Sequence, residues 1–142
     1  MIAIGVGCRK GCLATAVVAL VRRALSALPP RTGRGRAVLA TAARKRYEPG
    51  IRAAARRLSL PLVIVRDGAL ASAQRRTHTR SARVAALVGV PSVAEAAALA
   101  AVGWHGRLAV TRMNTSAVTC AIAFAGFGDP GIGRARRLRK LV

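Results

Sequence analysis

Three short segments hold the residue types and spacings that could do chemistry. The first is Gly5-Val6-Gly7-Cys8-Arg9-Lys10-Gly11, directly after an apolar run. Glycines let a ligand approach the backbone, the N–H groups opening a following helix suit an anion, and Arg9 and Lys10 add charge. It is not a dinucleotide fingerprint, because Lys10 stands where the third glycine is needed. It is not a P-loop, because no Gly-Lys-Ser/Thr follows. The same residues also suit a tight strand-to-helix turn with solvated cations. Cys8 could supply a thiolate nucleophile, but no histidine partner is identifiable. The second segment is Lys45-Arg46-Tyr47-Glu48-Pro49-Gly50. Glu48 could act as a general base, orient Lys45, or complement the positive end of a helix beginning at Pro49. The third is Ser92-Val93-Ala94-Glu95, which matches a capping box. Glu95 is thus either a capping residue or an acid of the site, and amid so much positive charge it should stay ionised.

Metal chemistry is not expected from spacing. Cys8 and Cys12 are separated by three residues, Cys120 is remote, and neither the zinc-knuckle nor the thioredoxin pattern fits. His78, in a basic stretch, and His105, after Trp104, have no metal-ligand spacing. An odd cysteine count and no basic leader before the first apolar run point to reduced thiols in a cytosol. The longest apolar run, Leu13 to Val21, is too short to span a bilayer.

These segments need elements to position them. Ile2 to Val6 reads as a buried strand. Gly11 to Leu28 reads as a helix whose inner face is Leu13, Val17, Leu20, Val21, Ala24 and Leu28, stopped by Pro29-Pro30. Ala37 to Thr41 is a second strand. Pro49 opens a second helix to about Ser59, with Ile51, Ala54, Ala55 and Leu58 inward and Arg52, Arg56 and Arg57 outward. Leu62 to Val65, all apolar, reads as a third strand covered on both faces. Asp67-Gly68 leads into a short helix, Ala69 to about Gln74. Gln74 to Arg83 is polar and basic, the best candidate for a mobile loop. A later helix runs from Pro91-Ser92 to Val102 and is ended by Gly103. Leu108 to Thr111 and Val118 to Phe124 are the last strands. The short link Met113 to Ser116 suits a hairpin turn and one antiparallel pair. This order predicts an α/β fold: a three-layer α/β/α sandwich with a mostly parallel sheet of about five strands and an antiparallel terminal hairpin. Residues 1–125 form the domain and 126–142 a basic tail. Ligands of such sheets sit beyond the carboxyl ends of the strands, so the loops 7–11, 41–48, 66–69 and 112–117 are the place to look.

Composition sets the outer bounds. The 142 residues carry 25 Lys+Arg against 4 Asp+Glu, a formal charge of +21, and only three of the cations are lysine. Hydrophobic residues make up 53% and aromatics 3%. With 31 alanines among them, the interior must be closely packed helices on a sheet. The charge implies an anionic partner, or a GC-rich codon bias toward arginine. Nucleic acid is the rival class of partner. It is disfavoured by the scarcity of aromatics for stacking and by the lack of zinc or basic-zipper patterns. No membrane segment is expected.

Four stretches together resemble one family. They are Ile4-Gly5-Val6-Gly7-Cys8-Arg9-Lys10-Gly11, Lys45 to Gly50 followed by Leu60-Pro61-Leu62, Gly89 to Leu99, and Arg107-Leu108 through Val118-Thr119-Cys120-Ala121-Ile122-Ala123. In order and spacing they are similar to the CobE / CbiG C-terminal domain family of cobalamin biosynthesis, over roughly residues 1–125. The resemblance implies a cytoplasmic role in building the corrin ring. The larger CbiG proteins open a ring lactone and release acetaldehyde, whereas the stand-alone form belongs with the aerobic route. The chain is thus expected to bind a precorrin intermediate as carrier or accessory, with other pathway enzymes as further partners and no cofactor. The alternatives are a precorrin lactone hydrolase using Glu48 or Glu95, and a nucleic-acid-binding protein. Arg112 stands where the family's lysine is expected, which replaces a point charge by a planar fork. A polycarboxylate macrocycle needs cations and backbone N–H groups around a cleft. The expected ligand set is Gly5, Gly7, Cys8, Arg9, Lys45, Ser92, Arg112 and Thr119.

Overall fold

The computed structural model describes residues 1–30, 32, 35–75 and 92–125. The stretch 76–83 with His78, and the basic tail 126–142, therefore lie outside the described residues.

The described residues build five strands and four helices. They are β1 (Ile2–Cys8), α1 (Ala14–Ser26), β2 (Ala37–Ala42), α2 (Pro49–Arg57), β3 (Leu62–Val65), α3 (Asp67–Gln74), α4 (Val93–Val102), β4 (Arg107–Asn114) and β5 (Val118–Phe124). A 3-10 turn, Ala43–Lys45, links β2 to α2. The sheet order is β3-β2-β1-β5-β4. β1 pairs parallel with β2, and β2 with β3. β5 runs antiparallel to both its neighbours, β1 and β4. The α/β class is as expected, but the parallel part is confined to β1–β3. The hairpin does not hang at an edge by itself; its second strand enters the sheet beside β1.

β1 lies at the sheet centre and separates two cores by the period-2 alternation of its side chains. Ile2, Ile4 and Val6 join Val17, Leu20, Val21, Ala24, Ile51 and Ala54 of α1 and α2 on one face. Ala3 faces the other side, with Ala96, Ala97, Leu99 and Leu70 of α4 and α3. The three layers follow directly. α4 presses closest. A Cβ on Gly5 would stand 1.9 Å from the Ala94 carbonyl oxygen and 2.8 Å from the Ala98 nitrogen. Only glycine on the strand and alanine on the helix permit that approach, and the residues Ala94–Leu99 are buried all round.

Several expected boundaries shift. α1 starts at Ala14, so Leu13 sits at its N-cap and is 69% exposed rather than on the inner face. α2 starts at Pro49 as expected and ends at Arg57, where Ser59 reverses the chain with φ 55°. β3 is an edge strand that packs on both faces, Leu62 against one core and Val63 and Val65 against the other, though Leu62, Val63 and Ile64 are only half-buried. Gly103, with φ 104°, ends α4 as expected.

Candidate functional site

Four segments meet at the rim where β1 and β2 end. β5 begins there, because Cys8 pairs with Val118 and Gly7 with Thr119. β4 ends there, because Asn114 pairs with Thr119. The β4–β5 turn therefore joins the βα loops on one side. The turn is built locally: the Thr115 N–H donates to the Val118 carbonyl at 2.8 Å, and the Val118 N–H donates to Thr115 Oγ1 at 3.2 Å.

These segments enclose a cleft of about 370 Å³. Gly7, Cys8 and Arg9 line it from β1 and its loop, Lys45 from the 3-10 turn, Ser92 from the start of α4, and Arg112 and Thr119 from the hairpin. Seven of the expected residues thus share one cavity. The sequence reading did not single out Thr41, Arg44 or the turn residues Thr115–Ala117, which also line it. Their signal was positional, since they fall in the loops expected at the strand ends. Thr41 is fully buried and donates its hydroxyl to the Val6 carbonyl at 2.8 Å, which ties the ends of β1 and β2 together. Thr119 Oγ1 donates to the Gly7 carbonyl at 3.4 Å and occupies the space a side chain on residue 7 would need.

The cleft is cationic. Arg9, Arg44, Lys45 and Arg112 contribute to its wall, and no carboxylate does among the described residues. Its volume lies at the lower end of the ~300–1,000 Å³ typical of ligand sites.

Three expected residues stand elsewhere. Gly5 is buried beneath α4, and its lack of a side chain serves packing. Glu95 is fully buried. Its backbone N–H donates to Ser92 Oγ at 3.3 Å, the first half of the capping box. Its carboxylate crosses to β4, where Oε2 accepts the Arg112 N–H at 3.1 Å. The β4–β5 register shifts between Val110 and Met113, so Glu95 satisfies a donor in the irregular part of the ladder. Glu95 thus ties the start of α4 to the Arg112 backbone. Glu48 is buried at the N-cap of α2, and its Oε1 accepts the Gly11 N–H at 2.9 Å. This carboxylate ties the β1–α1 loop to the start of α2.

The cysteines follow their surroundings. Burial, the hydrogen bond and charge of Cys12, and the charge of Glu48 push the Cys8 thiol up to about 12, while Lys45 acts in the opposite direction. Cys8 is accordingly a neutral thiol near pH 7, not a ready nucleophile. Burial alone raises Cys120 to about 12. His105 is exposed and away from the cleft. Among the described residues no helix is long and apolar enough to cross a membrane.

The fold defines an α/β domain with a cleft lined by arginine and lysine at the strand ends. Comparison with known proteins narrows this. The family model for the cobalamin synthesis G C-terminus matches residues 2–123. CobE from a Sinorhizobium species is 33% identical over 120 residues, which is 84% of this chain and 77% of that protein. The crystal structure of cobalamin biosynthesis protein ChiG from Agrobacterium tumefaciens superposes with a TM-score of 0.69 at 39% identity, covering 89% of this chain and 99% of that one. A 1.7 Å crystal structure of CobE, from the cobalamin (vitamin B12) pathway, gives 0.69 at 31% identity, covering 89% and 91%. The chain belongs to the CobE / CbiG C-terminal family and is a cobalamin biosynthesis protein.

Proposed function

We propose that the cleft binds a corrin-ring precursor by its carboxylate arms, and that the chain serves in the cytoplasm as a carrier or accessory to other pathway enzymes. The observation that carries this reading is the convergence of Arg9, Arg44, Lys45 and Arg112 on one cavity with no acidic residue in its described wall. Arginine holds a carboxylate through two parallel N–H donors, and lysine adds a compact charge. Arg112 therefore suits this task better than proton transfer. Binding fits the geometry better than lactone hydrolysis, because Glu48 and Glu95 are both engaged outside the cleft and Cys8 is a neutral thiol. The volume accommodates one edge of a macrocycle.

Titration of the purified protein with a panel of corrinoid acids, followed by visible absorbance, tests this. One member should bind with a shifted spectrum and without turnover. Arg9→Ala and Arg112→Ala together should weaken binding by about 10–100-fold, since each exposed guanidinium contributes about 1 kcal/mol in a charge-assisted contact. An unchanged affinity in the double variant would place the ligand elsewhere. Strong DNA retention on a filter at physiological salt, with no corrinoid affinity, would favour nucleic-acid binding instead.

A further inference from the structure

We infer that Cys8, Cys12 and Glu48 form a binding site for a thiophilic divalent cation of the zinc class. It shares Cys8 with the lining of the cleft but does not rest on the corrinoid reading. Cys8 Sγ, Cys12 Sγ and a Glu48 carboxylate oxygen all lie within 4.8 Å of one another. They come from three places: the end of β1, the loop before α1, and the N-cap of α2.

The backbone brings them together by specific means. The Arg9 N–H donates to the Ala117 carbonyl at 2.9 Å, which anchors the loop to the sheet. The Cys12 N–H donates to the Arg9 carbonyl at 3.1 Å, turning the second thiol back toward the first. Gly11 takes φ +79°, a conformation that glycine enters readily. Its N–H then holds Glu48 Oε1 at 2.9 Å and leaves the second carboxylate oxygen for another partner. A hydrogen-bonded ligand of this kind is a common feature of metal sites. Gly50 clears the remaining space: a Cβ there would stand 2.2 Å from the Cys12 carbonyl oxygen and 3.1 Å from its sulfur.

The donor set has consistent chemistry. Two thiolates and a carboxylate suit zinc, with metal–sulfur bonds near ~2.3 Å and metal–oxygen bonds near ~2.0–2.2 Å. Tetrahedral placement asks for donor separations of roughly 3.3–3.8 Å, so closure by up to about 1.5 Å completes the site. The two cysteines are half-buried, which leaves their side chains room to close. Three protein donors leave a fourth position for water. Binding sends both thiol protons to solvent and involves no oxidation or reduction. Thiolates, carboxylate and a dication then sum to one negative charge, and Lys45 lies close enough to Cys8 to offset it.

The test uses the full chain, reduced with a phosphine and stripped with a chelator. Cobalt(II) should bind at one equivalent with thiolate-to-metal absorption in the near ultraviolet, and zinc(II) should displace it. Cys8→Ser and Cys12→Ser should abolish that absorption. Glu48→Gln, which keeps an acceptor for Gly11, should weaken it by about 10–100-fold. Cys120→Ala should leave it unchanged. In the unmutated chain, zinc should protect Cys8 and Cys12 from alkylation, read by mass spectrometry, so the result does not depend on a variant folding. No absorption with millimolar cobalt, absorption that survives both serine variants, or undiminished alkylation under zinc would each overturn the site.

Discussion

Glu95 offers the sharpest test of how the rim is held together. Glu95→Ala removes a fully buried carboxylate and orphans the Arg112 N–H that it accepts. A hydrogen bond to a charged group contributes about 1.5–3 kcal/mol, and an unsatisfied buried donor costs about 1–3 kcal/mol. The two overlap, because the Arg112 amide sits in a residue whose side chain reaches solvent, so about 2–4 kcal/mol is expected. For a chain near 150 residues this lowers Tm by about 6–12 °C. Glu95→Gln keeps an acceptor oxygen of the same shape and should cost about half as much or less. Thermal unfolding by circular dichroism reads both. Corrinoid titration below the Tm adds the functional half: the alanine variant should lose affinity through a displaced Arg112, and the glutamine variant should retain most of it. Equal and negligible Tm shifts for both variants would refute the buried bond. Loss of a catalysed turnover in Glu95→Gln, with stability intact, would refute the positioning role and restore Glu95 as an acid of the site.

Gly5→Ala forces the backbone of α4 away from β1, because the new methyl would lie 1.9 Å from the Ala94 carbonyl; overpacking of this kind should cost about 3 kcal/mol or more, measured by denaturant unfolding. Alkaline pH should also destabilise the fold. Burial pushes the Cys120 and Cys8 thiols up from the ordinary 9.0 to about 12, so the native state keeps its thiol protons where the unfolded chain has lost them. Their stabilisation is complete below pH 9 and is lost as pH rises toward 12, with a slope of up to ~1.4 kcal/mol per pH unit from Cys120. Cys120→Ala should flatten the fall of Tm between pH 9 and 11, and an unchanged slope would contradict the burial of that thiol. Raising salt should weaken corrinoid binding through the exposed guanidiniums, whereas a salt-independent affinity would deny them a part in it.

Most of the sheet and its helices were legible because each side chain pattern had a single physical solution. Ile2, Ile4 and Val6 alternate as a central strand must, Pro49 can open a helix but not continue one, and Gly103 can leave one with positive φ. The loops that form the cleft were legible for the same reason, since strand ends dictate where the turns collect. What escaped was long-range. Nothing local in Val118–Phe124 says that it pairs with β1, so the extent of antiparallel pairing was missed. Ser92 and Glu95 match a capping box by spacing, and the Ser92 half of it forms, but nothing local shows that the carboxylate also accepts the Arg112 amide on another element. Gly5 looked like a ligand-facing glycine because the need for close helix packing leaves the same residue type. The three-residue gap between Cys8 and Cys12 argued against a metal site only while Glu48, brought in by the N-cap of α2, was out of view.

The insertion of β5 beside β1 has a kinetic consequence. Gly7 and Thr119 face each other across 112 residues of chain, so this wall of the cavity waits on the long-range pairing of β1 with β5. Such contacts bear the largest loop-closure entropy and tend to form late. A ligand that needs that wall gains nothing from partly assembled chains and selects the finished fold alone, raising its apparent stability in proportion to occupancy.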